Sequence, residues 1–382
     1  MKRAELGATL PAIVALLLAA GCSLSLNRRP TAVTVQTEPA ALARRTVARG
    51  LANPRAMLQG DGGSLLVATA GTGRPGEETS GAVLILNDLD NDGRYDSQGE
   101  RHPLLKDAPS VNIAGLVHRD EVFGMAALAR GGGRVLASVA FFDRPSSIWS
   151  VAGDSVELWT EVEANVNDLV FDNTRGVWFA VSSSTDQLLR LDDKGRAEVI
   201  TGFLELENGQ DPVPGYLTLD HDNDRLLVSL FSGSTEGDSG GLGTEFVRGA
   251  GRIMSIDPDT GETETLLTGL TAPTDLVLVG KQRLLVLEFC DGFLDPMTND
   301  QGSMSGVSHG GFRRFSGRLL DVDLATGTAR LLAEGLDTPT NLLLAGSDVL
   351  VSEGMGTPGR PIPGPEGEVR LDGFIEAFSG RF

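Results

Sequence analysis

Short apolar runs of strand length, each closed by Gly, Pro, Asn or Asp, recur along this chain, and almost no stretch has a helical period. The clearest are "SLLVATAGTG" from Ser64, "RLLVLEFCDG" from Arg283 and "DVLVSEGMGT" from Asp348. Each follows a Gly-Leu-x-x-Pro phrase: "GLANPRAMLQ" from Gly50, "GLTAPTDLVLV" from Gly269 and "GLDTPTNLLLA" from Gly335. Weaker copies begin at Gly124, Asn167 and Gly215, which makes six units. Every unit continues with a third strand and, except the last, a fourth. The pattern predicts an all-β fold, a six-bladed β-propeller of four-stranded blades. The sixth unit ends at "GFIEAFSGRF", and "ARRTVARGL" (Ala43 to Leu51) matches the missing strand, so the N-terminal strand is expected to close the ring in the C-terminal blade.

Ahead of the propeller, residues 1–21 read as a signal peptide: Lys2 and Arg3, then an apolar run from Ala12 to Ala20 that is too short to span a bilayer. The small residues before Cys22 resemble a bacterial lipoprotein box, which makes Cys22 the expected lipidation site and residues 22–42 a flexible tether. The propeller then occupies residues 43–382. The expected location is the bacterial cell envelope, with the membrane reached through the lipid alone. Cys290, the remaining thiol, reads as a small buried hydrophobe.

The formal charge of -20, from 52 acidic and 32 basic residues, comes with no basic stripe, so nucleic-acid binding is disfavoured. A monomer is expected. Loops rich in carboxylates suit hard cations. In "DLDNDGRYD", Asp88, Asp90, Asp92 and Asp96 alternate around Gly93 as in a calcium loop, although Gly99 stands at position twelve and Glu100 comes one later. Structural calcium is expected there.

Stacking the inner-strand starts puts Arg55, Asn167, Asp168, Tyr216, Asp275 and Asn341 near one ring, while Glu288 and Glu353 share a column at the end of the second strand. These residues are expected to serve a small-molecule or protein ligand at the channel face, or a second divalent cation in the channel. Turn capping at the blade junctions is the alternative. The long second-to-third-strand loops of the last three units rise on the same face, and one carries His309, the expected general base if there is catalysis. "GDSGG" and "GVSHG" mimic nucleophile turns but lack the surroundings such turns need.

With these units in place, the chain resembles the six-bladed propellers of the glucose/sorbosone dehydrogenase, NHL-repeat and regucalcin/gluconolactonase families. "GLANPRAMLQGDGGSLLVATAG" looks like their first inner strand and turn, and "AVLILNDLDNDGRYD" followed by "EVFGMAAL" is similar to the sorbosone-dehydrogenase-like pattern. The resemblance implies a ligand site in the channel, and as alternatives a metal-dependent lactone or ester hydrolase or a quinone-dependent sugar dehydrogenase. The channel histidine of the quinone enzymes has no counterpart at these strand starts, and Arg55 or Ala56 stands where the lactonases have a metal-binding Glu.

Overall fold

The Gly-Leu-x-x-Pro phrase is a crossover between blades. Gly50, Gly269 and Gly335 all take positive φ, at 69°, 85° and 73°, which ends each outer strand with a turn that L side chains adopt only with strain. The Leu that follows is buried in all three (Leu51, Leu270, Leu336), and Pro54, Pro273 and Pro339 then lead into an inner strand, where no ladder donor is needed.

The computed structural model describes residues 29–36, 42–113, 120–141, 143–152, 155–206, 209–232, 248–291, 308–309 and 312–380. Six four-stranded antiparallel blades form the ring. Blade I runs through Pro54–Gln59, Leu65–Thr69, Gly81–Leu86 and Arg101–Ala108, and blade II through Met125–Gly131, Arg134–Val139, Ser146–Ala152 and Ser155–Val162. Blade III uses Val166–Asp172, Val177–Ser182, Gln187–Leu191 and Ala197–Gly202; blade IV uses Pro214–Asp220, Arg225–Leu230, Gly251–Ile256 and Thr263–Leu270. In blade V the strands are Pro273–Val279, Arg283–Glu288, Gly317–Asp323 and Thr328–Leu336. Blade VI takes Asn341–Ala345, Asp348–Glu353 and Gly373–Ser379 from the C-terminal end and Ala43–Leu51 from the N-terminal end, with Arg44 opposite Phe378.

The apolar core is a ring of interfaces rather than one centre. Separate clusters lie between blades I and II, II and III, III and IV, IV and V, and V and VI. The cluster between VI and I is built on Val47, Ala48 and Leu51 of the closing strand. Closure therefore seals a core as well as a sheet edge.

The stretch expected to be a free tether is partly docked. Thr31–Ala32 pairs parallel with the outer strand of blade IV, and Thr34–Gln36 with that of blade V. Val33 and Val35 pack on the cluster between those blades. Residues 1–28, including Cys22, lie outside the described residues. Cys290 is buried and forms no disulfide.

Candidate functional site: the channel face

Register refines the ring of inner-strand positions. Ala56 opposes Ala68, Ala127 opposes Ser138 and Asp168 opposes Val181, so blades I and II contribute Ala56 and Ala127 to the ring that holds Asp168. In the column of Glu288 and Glu353, blade III contributes Ser182, which opposes Val166 as Glu288 opposes Pro273.

Most of the oxygens on this ring staple one blade to the next. Asp168 Oδ2 accepts from the Leu217 amide at 3.0 Å, which ties blade III to blade IV. Asp275 Oδ2 accepts from the Leu342 amide at 2.7 Å and from Asn341 Nδ2 at 2.6 Å, and its Oδ1 accepts from the Leu276 amide at 2.7 Å. Asn341 Oδ1 takes the Met57 amide at 2.8 Å, so blade VI is fastened to blade I in the same way.

Glu288 and Glu353 do share a column, but they point at crossovers. Glu288 accepts from the Thr271 amide at 2.6 Å and pairs with Arg318, while Glu353 Oε2 accepts from the Asp337 amide at 2.6 Å. Thr271 and Asp337 are the residues just after Gly-Leu, so these acids hold the turn that the repeat encodes. Burial raises the pKa of Glu288 against the pull of Arg318. Burial, then the nearby Glu376, pushes Glu353 well above the usual range, and its Oε1 has no hydrogen-bond partner among the described residues. Burial therefore favours the neutral form of Glu353.

Two carboxyls in the channel itself meet amides but no opposite charge among the described residues. Burial and the field of Asp275 push Asp168 well above its ordinary value, and burial raises Asp275 to about 7 despite three N–H donors. No ion pair among the described residues reaches either. Tyr216 donates its hydroxyl to the Arg55 carbonyl at 3.2 Å, and burial and the charge of Asp275 raise its pKa. Arg55 donates to the Val122 carbonyl at 2.7 Å and to Met355 Sδ at 3.2 Å; burial lowers its pKa, with Glu121 opposing. Arg55, Asn167, Asp168 and Tyr216 are half-buried, whereas Asp275 is 4% exposed.

Above this ring, the loop after Glu353 reaches over to the first two blades. Asn53 and Gly356 exchange hydrogen bonds at 2.9 and 2.7 Å, and Asp120 holds the Thr357 hydroxyl at 2.7 Å and pairs with Arg360 at 2.7 Å. Arg314 is pinned beneath it by Asp337 and by the Met355 carbonyl at 2.8 Å. The backbone of His309 pairs with Phe312, but its side chain lies outside the described residues.

On the opposite face, the acidic loop of blade I gathers a set that the spacing rule only partly names. Asp88, Asp90 and Glu100 bring carboxylate oxygens within 4.8 Å of one another. Asp92 instead caps the Arg94 amide at 2.8 Å, and Asp96 pairs with Arg94. Glu100, one residue past the template position, is buried, accepting the Leu89 and Ser97 amides at 2.9 and 2.8 Å. The loop also docks on the closing strand, since the Tyr95 amide donates to the Val47 carbonyl at 2.7 Å and Arg45 donates to the Gly93 carbonyl.

No family model matches the chain, and no curated protein matches it. Among solved structures, the chain is similar to a protein of unknown function from Bacteroides thetaiotaomicron, at 11% identity over 91% of this chain and 74% of that one, with a TM-score of 0.51. It is also similar to a protein from Thermus thermophilus described provisionally as an oxidoreductase (glucose dehydrogenase), at 15% identity over 88% of this chain and 99% of that one, with a TM-score of 0.50. A third is the PQQ-bound aldose sugar dehydrogenase of Streptomyces coelicolor, at 14% identity over 89% and 99%, with a TM-score of 0.48. At these identities the likeness is one of fold.

Proposed function

We propose that the protein is an exported, lipid-anchored binding propeller that takes a small ligand rich in hydrogen-bond donors, ammonium or hydroxyl, at the channel face. The observation that carries this reading is the pair Asp168, half-buried, and Asp275, buried, two channel carboxyls that repel each other and have no basic partner among the described residues. Tyr216 and Arg55 flank them with a phenol and a guanidinium, and three of these four side chains are only half-buried. A donor-rich ligand would relieve the repulsion that the fold leaves in place. Because the Asp275 pKa is raised to about 7, an ammonium ligand should bind more tightly as pH rises through that value.

A metal-dependent hydrolase finds less support. Asp275 and Asn341 spend their oxygens on amides, and Glu288 and Glu353 hold crossovers. Calcium belongs to this proposal at the blade I loop, where Asp88, Asp90 and Glu100 supply hard oxygens and the loop clasps the closing strand.

A thermal-shift screen of small amines and polyols on the full chain, followed by calorimetry on Asp168→Asn, tests the channel reading. The variant should keep its melting temperature and lose about tenfold or more in affinity for any hit, the order expected for one charge-assisted hydrogen bond. Hits that bind Asp168→Asn equally well would overturn it. For the loop, calcium should raise the melting temperature of the wild type but not of Asp90→Ala; an equal rise in both would remove calcium from that site.

A further inference from the structure

A second pair of acids lies outside this site, on the crossover from blade III to blade IV. Asp186, on the second-to-third-strand turn of blade III, has φ of 51°, and the crossover residue Val213 has φ of 46°. The Asp186 carboxyl lies beside that of Asp211 and the Val213 amide. Two carboxyls can share a hydrogen bond only if one carries the proton. Their Oδ1 atoms are both buried, with no hydrogen-bond partner among the described residues.

Among the described residues, the surroundings supply no compensating charge. The backbone around the pair is tightly knit: the Phe203 amide donates to the Asp186 carbonyl at 2.8 Å, Leu206 to the Gln210 carbonyl at 2.8 Å, and Phe231 to the Val213 carbonyl at 3.0 Å. Ser232, from the end of the second strand of blade IV, donates its hydroxyl to Gln210 Oε1 at 3.2 Å. Phe203 and Leu206 are apolar and buried, Glu205 on the same crossover is exposed, and no ion pair among the described residues reaches Asp186 or Asp211. Among the described residues, Asp211 is the charged group that raises the Asp186 pKa.

We propose that the Asp186 and Asp211 carboxyls form a proton-operated latch that fastens the turn of blade III to the crossover into blade IV on the channel face. With the proton in place the two segments are joined; when it leaves, two adjacent carboxylates repel and the crossover is released. Burial, then the charge of Asp211, raises the Asp186 pKa to about 7, above its unfolded value. A raised folded pKa means that the native state holds the extra proton, so the latch is fully engaged below about pH 4 and loses strength as pH rises to about 7. This is the reverse of an ordinary ion-paired carboxylate. The latch needs no ligand in the channel, so it stands or falls separately from the binding reading.

Hydrogen exchange read by mass spectrometry, corrected for intrinsic rates, tests it on peptides covering residues 183–186 and 203–213 in the wild type, Asp186→Asn and Asp211→Asn. Neutral Asn can hydrogen-bond a carboxyl without the shared proton. In the wild type, opening should grow by up to about tenfold per pH unit toward pH 7 and then level. Both variants should be flat with pH, and peptides from blade II, which holds none of the shifted acids, should be flat in all three proteins. A flat wild type, or variants that follow the wild type, would overturn the latch.

Discussion

The crossovers into blades VI and IV occupy equivalent places in the ring, and each carries an acid that meets the second-to-third-strand loop of the blade before it. At the first, Asp337 meets Arg314; the pair is bidentate, at 2.8 and 2.6 Å, with the side chains 1% (Arg314) and 4% (Asp337) exposed. At the second, Asp211 meets Asp186, acid against acid. The first junction also has a Gly-Leu phrase, with Gly335 at φ of 73°, and a Glu that caps it. The second has neither, because the outer strand of blade III ends at Gly202, which has no positive φ, and Ser182 stands in the Glu column. One frame thus supports a junction fixed by opposite charges and one held by a proton. The difference shows that burial alone does not make a buried acid structural; the charge of its partner decides.

The largest expected effect comes from breaking the fixed junction. Arg314→Met should cost about 3–5 kcal/mol in chemical denaturation, since it leaves Asp337 buried and unpaired. A loss below about 1 kcal/mol would mean the pair is no stronger than a surface one. The turn sharpens the contrast next. Gly335→Ala should cost about 1–2 kcal/mol from its left-handed backbone, while Gly202→Ala, whose added carbon would meet only the Asp186 carbonyl at 3.8 Å, should cost about 0.5 kcal/mol or less. The smallest effect is on the proton-held side. Asp186→Asn should stabilise the protein by about 1 kcal/mol at pH 8 and leave it unchanged near pH 4, after discounting for the partial exposure of Asp186. The reverse sign would mean that Asp186 is an ordinary ionised carboxylate.

Much of the frame was legible in the sequence. Gly-Leu-x-x-Pro marks three crossovers because Gly supplies the positive φ and Leu the buried anchor, and Ala43–Leu51 matches the missing strand through its own Gly-Leu ending. The docked segment Thr31–Gln36 escaped notice because two short, mostly polar strands carry no period; only pairing with blade edges shows their place. In the channel the oxygen-bearing residues were named, but their partners were not, since the amides of Leu217, Leu342 and Met57 come from neighbouring blades. Glu100 was set aside by a template that places the ligand one residue earlier, whereas the loop buries it beside Asp88 and Asp90. Asp186 and Asp211 belong to no repeat, so only the fold brings them together.

The most direct test of this contrast is a pair of crystal structures, at about pH 5 and about pH 8.5, on either side of the Asp186 transition. At the lower pH the Asp186 and Asp211 carboxyls should lie about 2.5–2.7 Å apart with a shared proton, and at the higher pH they should separate while Arg314 stays on Asp337. If the two acids keep the same short contact at both values, or if both junctions open together, the claim that a proton holds one and a guanidinium the other is wrong.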